Sequence, residues 1–128
     1  MSMPIRFPEM RLQAVAALRS LSDVRHQQAR WGRVDEGVNY YEDFSLIVHV
    51  LYDDCAVLPE PEAAVGAIIH SAEVLAFAEL ELVLGPMLDE LGDAADEVYG
   101  TDPRWPAVVR AAGQALLVMK RVDEGAAS

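Results

Sequence analysis

The stretch Tyr40-Tyr41-Glu42-Asp43-Phe44-Ser45-Leu46-Ile47-Val48-His49-Val50-Leu51-Tyr52-Asp53-Asp54 decides the fold class. Read as a strand, its β-branched run from Leu46 to Leu51 would form a buried ribbon in a mixed fold. Read as a helix, it places Phe44, Ile47, Val48, Leu51 and Cys55 on one stripe, with Ser45, His49, Tyr52 and Asp53 on another face. The Glu42-Asp43 pair at its start complements the positive end of a helix dipole and favours the helix.

On the N-terminal side, Pro8 suits a first helical turn, where its missing N–H costs nothing. Met10, Ala14, Ala17, Leu18 and Leu21 follow at helical spacing, with Arg11, Gln13 and Arg19 read as lying outside that stripe. Ser22-Asp23 reads as a break and a new N-cap, after which Val24, Gln27, Gln28 and Trp31 share a face. On the C-terminal side, Leu58-Pro59-Glu60-Pro61-Glu62 reads as an extended connector, and Ala63 to Ile69 as a buried turn or short helix.

Ser71 then caps a helix expected to reach Leu91, with Phe77, Leu80, Leu84, Leu88 and Leu91 as its stripe. Leu75, Leu82 and Val83 add apolar surface elsewhere and suggest a central helix; Gly85-Pro86 is expected to kink or split it. Gly92 ends it, and Asp93 to Tyr99 has room for a further turn or two. Asp102-Pro103 signals a last helix carrying Trp105, Val108, Val109, Ala112, Leu116 and Met119. The sum is an all-α fold: a compact single-domain bundle of about five or six helices over residues 1–128, with 1–7 and 123–128 as fraying ends.

A chain of 128 residues, 52% hydrophobic and 24% charged, has the composition of one globular domain that folds without a metal or disulfide staple. Its one cysteine, Cys55, excludes an intramolecular disulfide and a cysteine zinc site. The segment Met1–Met10 lacks the apolar core of a signal peptide, and no apolar run reaches membrane-spanning length. These features point to the cytoplasm and away from a membrane.

The net charge of −11 is unevenly placed. Residues 1–33 hold six Arg and two acids (net +4), residues 34–103 hold seventeen acids and no Lys or Arg (net −17), and residues 104–128 hold four bases and two acids (net +2). In one explanation the Arg-bearing termini pack beside the acidic middle and the surplus keeps the chain dispersed. In the other, a ridge containing Glu42, Asp43, Asp53, Asp54, Glu60 and Glu62 meets a basic surface on a protein partner. The first is the ordinary reading, because charge runs are usually solvated faces. Nucleic acid is not an expected partner, since phosphate binding needs clustered Lys and Arg.

Catalytic patterns are thin. Ser45, His49 and Asp53 stand at i, i+4, i+8, but groups stacked along one helix rarely converge as a nucleophile, base and orienting acid, and no oxyanion hole is evident. An ordinary His49–Asp53 hydrogen-bonded pair, on the helix surface or half-buried, is the favoured reading. His49 with Asp53, or His70 with Glu73, would give two metal ligands where three or four are needed. Asp53-Asp54 at a helix C-terminus runs against the dipole and calls for a compensating group. Beside these acids, the Cys55 thiol is expected to titrate high and be buried. Trp31 and Trp105 fall on apolar stripes, and no glycine-rich phosphate loop exists. No cofactor or metal is expected.

The run Tyr52-Asp53-Asp54-Cys55, then Pro59, Pro61 and Val65-Gly66, and the ending Asp102-Pro103-Arg104-Trp105-Pro106 with Val108, Val109, Ala111 and Ala112, resemble a family of small acidic helical proteins common in actinobacteria. The resemblance runs from about Pro8 to Met119 and implies no catalytic residue. It is also similar, loosely, to immunity proteins against secreted toxins. The leading expectation is therefore a non-enzymatic protein that binds a basic protein partner. A self-associating module, such as a homodimer, and an enzyme or metal protein built on His49 and Asp53 are the alternatives.

Overall fold

The structure is a computed structural model that describes residues 4–31 and 43–127. Six α-helices carry the fold: α1 (Pro8–Leu21), α2 (Val24–Arg30), α3 (Phe44–His49), α4 (Val74–Leu91), α5 (Asp96–Gly100) and α6 (Trp105–Ala127). Among the described residues there is no strand; Val65 and Ile69 form an isolated bridge. The fold is all-α.

The deciding stretch is helical because its apolar residues recur at three and four. Phe44, Ile47 and Leu51 all reach the core, whereas a strand would send alternate residues to solvent. Asp43 starts the helix by accepting the Leu46 amide at 2.8 Å. After His49 the coil widens into one π-helical turn, Val50–Asp54, which ends as the Cys55 amide donates to the Val50 carbonyl at 2.9 Å. Tyr40, Tyr41 and Glu42 lie outside the described residues.

Helix α6 packs on α1 and α4, and α1 also holds α3 and the π turn. Along α6, Trp105, Val108, Ala112, Ala115 and Met119 are buried at near-ideal helical spacing. Ala14, Ala17, Leu18 and Leu21 answer from α1, and Phe77, Leu80, Leu84 and Met87 from α4. Asp23 caps α2 by accepting the His26 amide.

Several details depart from the sequence reading. Leu75 and Leu82, read as core surface of a central helix, are 70% and 74% exposed: α4 is covered on one side only. Pro86 does not split α4; the carbonyl it leaves without a partner belongs to exposed Leu82, where water can serve it. Helix α4 is led not by a Ser71 cap but by a 3₁₀ turn, Ser71–Glu73, in which Glu73 accepts the His70 amide at 2.7 Å. The proline connector is not wholly extended, since Pro61–Ala64 forms another 3₁₀ turn. Before α6, Asp102 holds the Arg104 amide at 2.8 Å in a turn, so the α-helix begins at Trp105. At the ends, the Arg6 and Phe7 amides bond to the carbonyls of Gly66 and Ala67, and α6 continues to Ala127.

The largest departure is Arg11. It stands three residues before Ala14 and seven before Leu18, on the buried face rather than outside it, and is 6% exposed. Its guanidinium meets the fully buried Glu73 carboxylate through two bonds of 2.7 and 2.5 Å, and also donates to the Ile68 carbonyl and to Asp123 of α6. Burial opposes the charge on Arg11, yet the two carboxylates outweigh it and hold the guanidinium above its ordinary value. Removing one partner leaves the other charge buried and unpaired, so Glu73→Ala is expected to cost about 3–5 kcal/mol in urea unfolding. The apolar pair Arg11→Met with Glu73→Leu should recover most of that loss; a double variant no more stable than Glu73→Ala would contradict this account.

Candidate functional site

The structure divides the six acids of the expected ridge. Asp43 is spent on the α3 cap, and Glu42 lies outside the described residues. Asp53, Asp54, Glu60 and Glu62 are exposed along the π turn and the connector that follows. Between the first two stands the group that the helix dipole required: His49 bonds to Asp53 through Nδ1 at 2.7 Å, and its Nε2 lies 3.4 Å from Asp54.

That arrangement removes the Ser-His-Asp reading. Both ring nitrogens of His49 face carboxylates, so neither is left to accept a proton from Ser45, and the group is open to water. Glu73, considered beside His70 as a metal ligand, is committed to Arg11 in the core. Among the described residues no three His, Cys, Asp or Glu converge on one point.

Two neighbours tie the π turn inward. The Tyr52 hydroxyl donates to Glu81 of α4 at 2.5 Å, and burial followed by that carboxylate pushes the phenol upward. Gly85 leaves room for the Glu81 carboxylate, which a Cβ there would strike. Cys55 is buried, with its Sγ donating to the Met10 carbonyl at 3.3 Å. Burial, with a smaller contribution from Asp54, pushes the thiol up to about 11. At pH 8 the folded protein should therefore resist iodoacetamide and react only once urea exposes the thiol. Stoichiometric labelling without denaturant would show that this end of α3 opens readily.

A second feature was not legible in the sequence. A cleft of about 470 Å³ lies between α2, α5 and the start of α6, lined by Gln27, Gln28, Trp31, Asp96, Glu97 and Trp105 among others, with no Lys or Arg among the described lining residues. Trp105 is fixed because its indole N–H donates to Gln27 at 3.1 Å, while the Gln27 amide donates to the Ser20 and Leu21 carbonyls. The Trp31 indole N–H is held by the Ser20 hydroxyl at 2.9 Å. The rings meet edge to face at 6.0 Å, and Phe44 and Tyr99 pack behind them. Asp96 accepts the Phe44 amide at 3.2 Å. Burial raises its carboxyl group, the Phe44 bond opposes that, and the Asp43 charge adds to it. Both tryptophans had read as core; only the meeting of three helix ends turns their edges into a wall.

Charge pairing across the chain is equally specific. Arg104 binds Asp102, which it holds down at about 2, and also pairs with Glu90. With Arg11–Glu73, these pairs bring a terminal cation to an acid of the middle span.

A family model covers residues 5–127 and is described as a domain of unknown function, DUF7945. The chain belongs to that family. No curated protein and no solved structure matches it. No helix among the described residues is long and apolar enough to cross a membrane.

Proposed function

We propose that this member of the DUF7945 family is a non-enzymatic binding protein of the immunity type, which meets a basic protein partner with its acidic surface in the bacterial cytoplasm. The observation that carries the reading is that Asp53, Asp54, Glu60 and Glu62 stay exposed on adjoining segments, with His49 as the sole described basic neighbour of the first two. Two of the terminal cations, Arg11 and Arg104, are drawn instead to Glu73, Glu90 and Asp102. An uncovered field of one sign steers an oppositely charged partner and suppresses wrong ones. Screening should weaken such an encounter as ionic strength rises.

Neutralising the four acids (Asp53→Asn, Asp54→Asn, Glu60→Gln, Glu62→Gln) tests this against a control with the same charge change elsewhere (Glu9→Gln, Glu79→Gln, Asp89→Asn, Glu124→Gln). The wild type and the control should retain a basic protein from a cognate lysate at low salt, and the patch variant should lose it. Equal retention by both variants would reduce the effect to net charge and remove the ridge from the account.

Self-association is a second reading, favoured by the exposure of Leu75 and Leu82 seven residues apart on one face of α4. If α4 pairs with a second copy, sedimentation at micromolar concentration gives a dimer that Leu75→Glu with Leu82→Glu converts to monomer. A wild-type protein that sediments as a monomer removes this reading.

A further inference from the structure

We infer that the outer faces of α4 and α6 are the two halves of one docking surface, through which the chain pairs with a second copy of itself. The inference rests on the self-association reading above and names what α4 meets there: α6 of the second copy, not its α4. Both faces are open. On α4, Glu79, Leu82 and Asp89 are exposed on the side that also carries Leu75. On α6, Arg110, Leu117, Lys120 and Arg121 are exposed, opposite the buried row of Val108, Ala112, Ala115 and Met119.

The charges make the two stripes complementary. Helix α4 holds four acids and no Lys or Arg. Glu81 is taken by Tyr52 and Glu90 by Arg104. Among the described residues, the side chains of Glu79, Asp89, Arg110 and Lys120 have no hydrogen bond or ion pair. Two α4 stripes laid together would set acids against acids, and two α6 stripes bases against bases. Only α4 on α6 joins opposite charges.

The spacing agrees. Glu79 and Asp89 are ten residues apart, as are Arg110 and Lys120, so each pair of charges spans about 15 Å of helix. Leu82 lies three residues after Glu79, and Leu117 three before Lys120. Run antiparallel, the two helices bring Glu79 to Lys120, Leu82 to Leu117 and Asp89 to Arg110 in a single register. A parallel run would match the charges but set Leu82 against Gly113. In the antiparallel register Leu75 falls within a turn of Arg121, whose aliphatic stem covers apolar surface. The leucines supply the burial, and the charges fix direction and register. Each copy carries both stripes, so a two-fold dimer makes the contact twice.

Sedimentation of the full chain at micromolar concentration and low salt tests this with two charge reversals, Glu79→Lys with Asp89→Lys and Arg110→Glu with Lys120→Glu. Circular dichroism checks that both fold. The wild type should be a dimer, and each reversal should weaken dimerisation about tenfold or more by setting like charges together. An equimolar mixture of the two variants should regain it, because both contacts of the mixed dimer again join opposite charges. Leu117→Gln, with every charge kept, should weaken the dimer as well. A dimer untouched by either reversal or by Leu117→Gln, or two reversed variants that do not recombine, overturns the pairing of α4 with α6 and leaves self-association standing. A monomeric wild type removes that reading and this inference together.

Discussion

The architecture depends on one buried ion pair. Arg11 and Glu73 are 62 positions apart, and their contact joins α1 to the turn that launches α4. The same guanidinium holds the Ile68 carbonyl and reaches Asp123 in the last turns of α6. A charge in the core is tolerated only when its partners are in place, so the pair admits little rotation of α1 and little slippage of α4. That fixes which face of α1 looks towards α3, and with it where the π turn emerges. The hydrophobic core supplies the driving force; the ion pair selects among the ways of packing it.

The pair also shapes the surface. Each terminal cation used in the interior, or at the Arg104–Asp102–Glu90 cluster, is unavailable to the acids elsewhere. The question raised by the −17 middle span therefore has a local answer. The middle is neutralised where α1 and the start of α6 touch it. Among the described residues, no Lys or Arg ion pair covers it along the π turn and the proline connector, and none lines the aromatic cleft. These are two separate acidic features: one is open and flanks His49, the other is concave and walled by rings.

Much of this was legible from spacing. The helical reading of Phe44–Asp54, the capping roles of Asp23 and Asp43 and the α6 stripe rest on short-range periodicity and local hydrogen bonds, which a single sequence records directly. The high-titrating thiol of Cys55 followed from its neighbours. The exposure of Leu75 and Leu82 did not, because an apolar residue states a preference for burial but not whether another helix arrives to cover it. Arg11 was misplaced for a related reason: its charge argued for solvent, and only a carboxylate from a distant turn reverses that balance.

The sequence by itself determined the helical class, the main breaks between helices and the uneven distribution of charge, since these depend on residues a few positions apart. Tertiary structure alone decided which charges are spent and which remain. It sent Glu73 into the core, set His49 against Asp53 and Asp54 instead of Ser45, and brought Trp31 and Trp105 to the wall of one cleft with Asp96 and Glu97. Each of these outcomes turns on desolvation and on partners far away in sequence or on the local path of the chain, quantities that exist only once the helices have met.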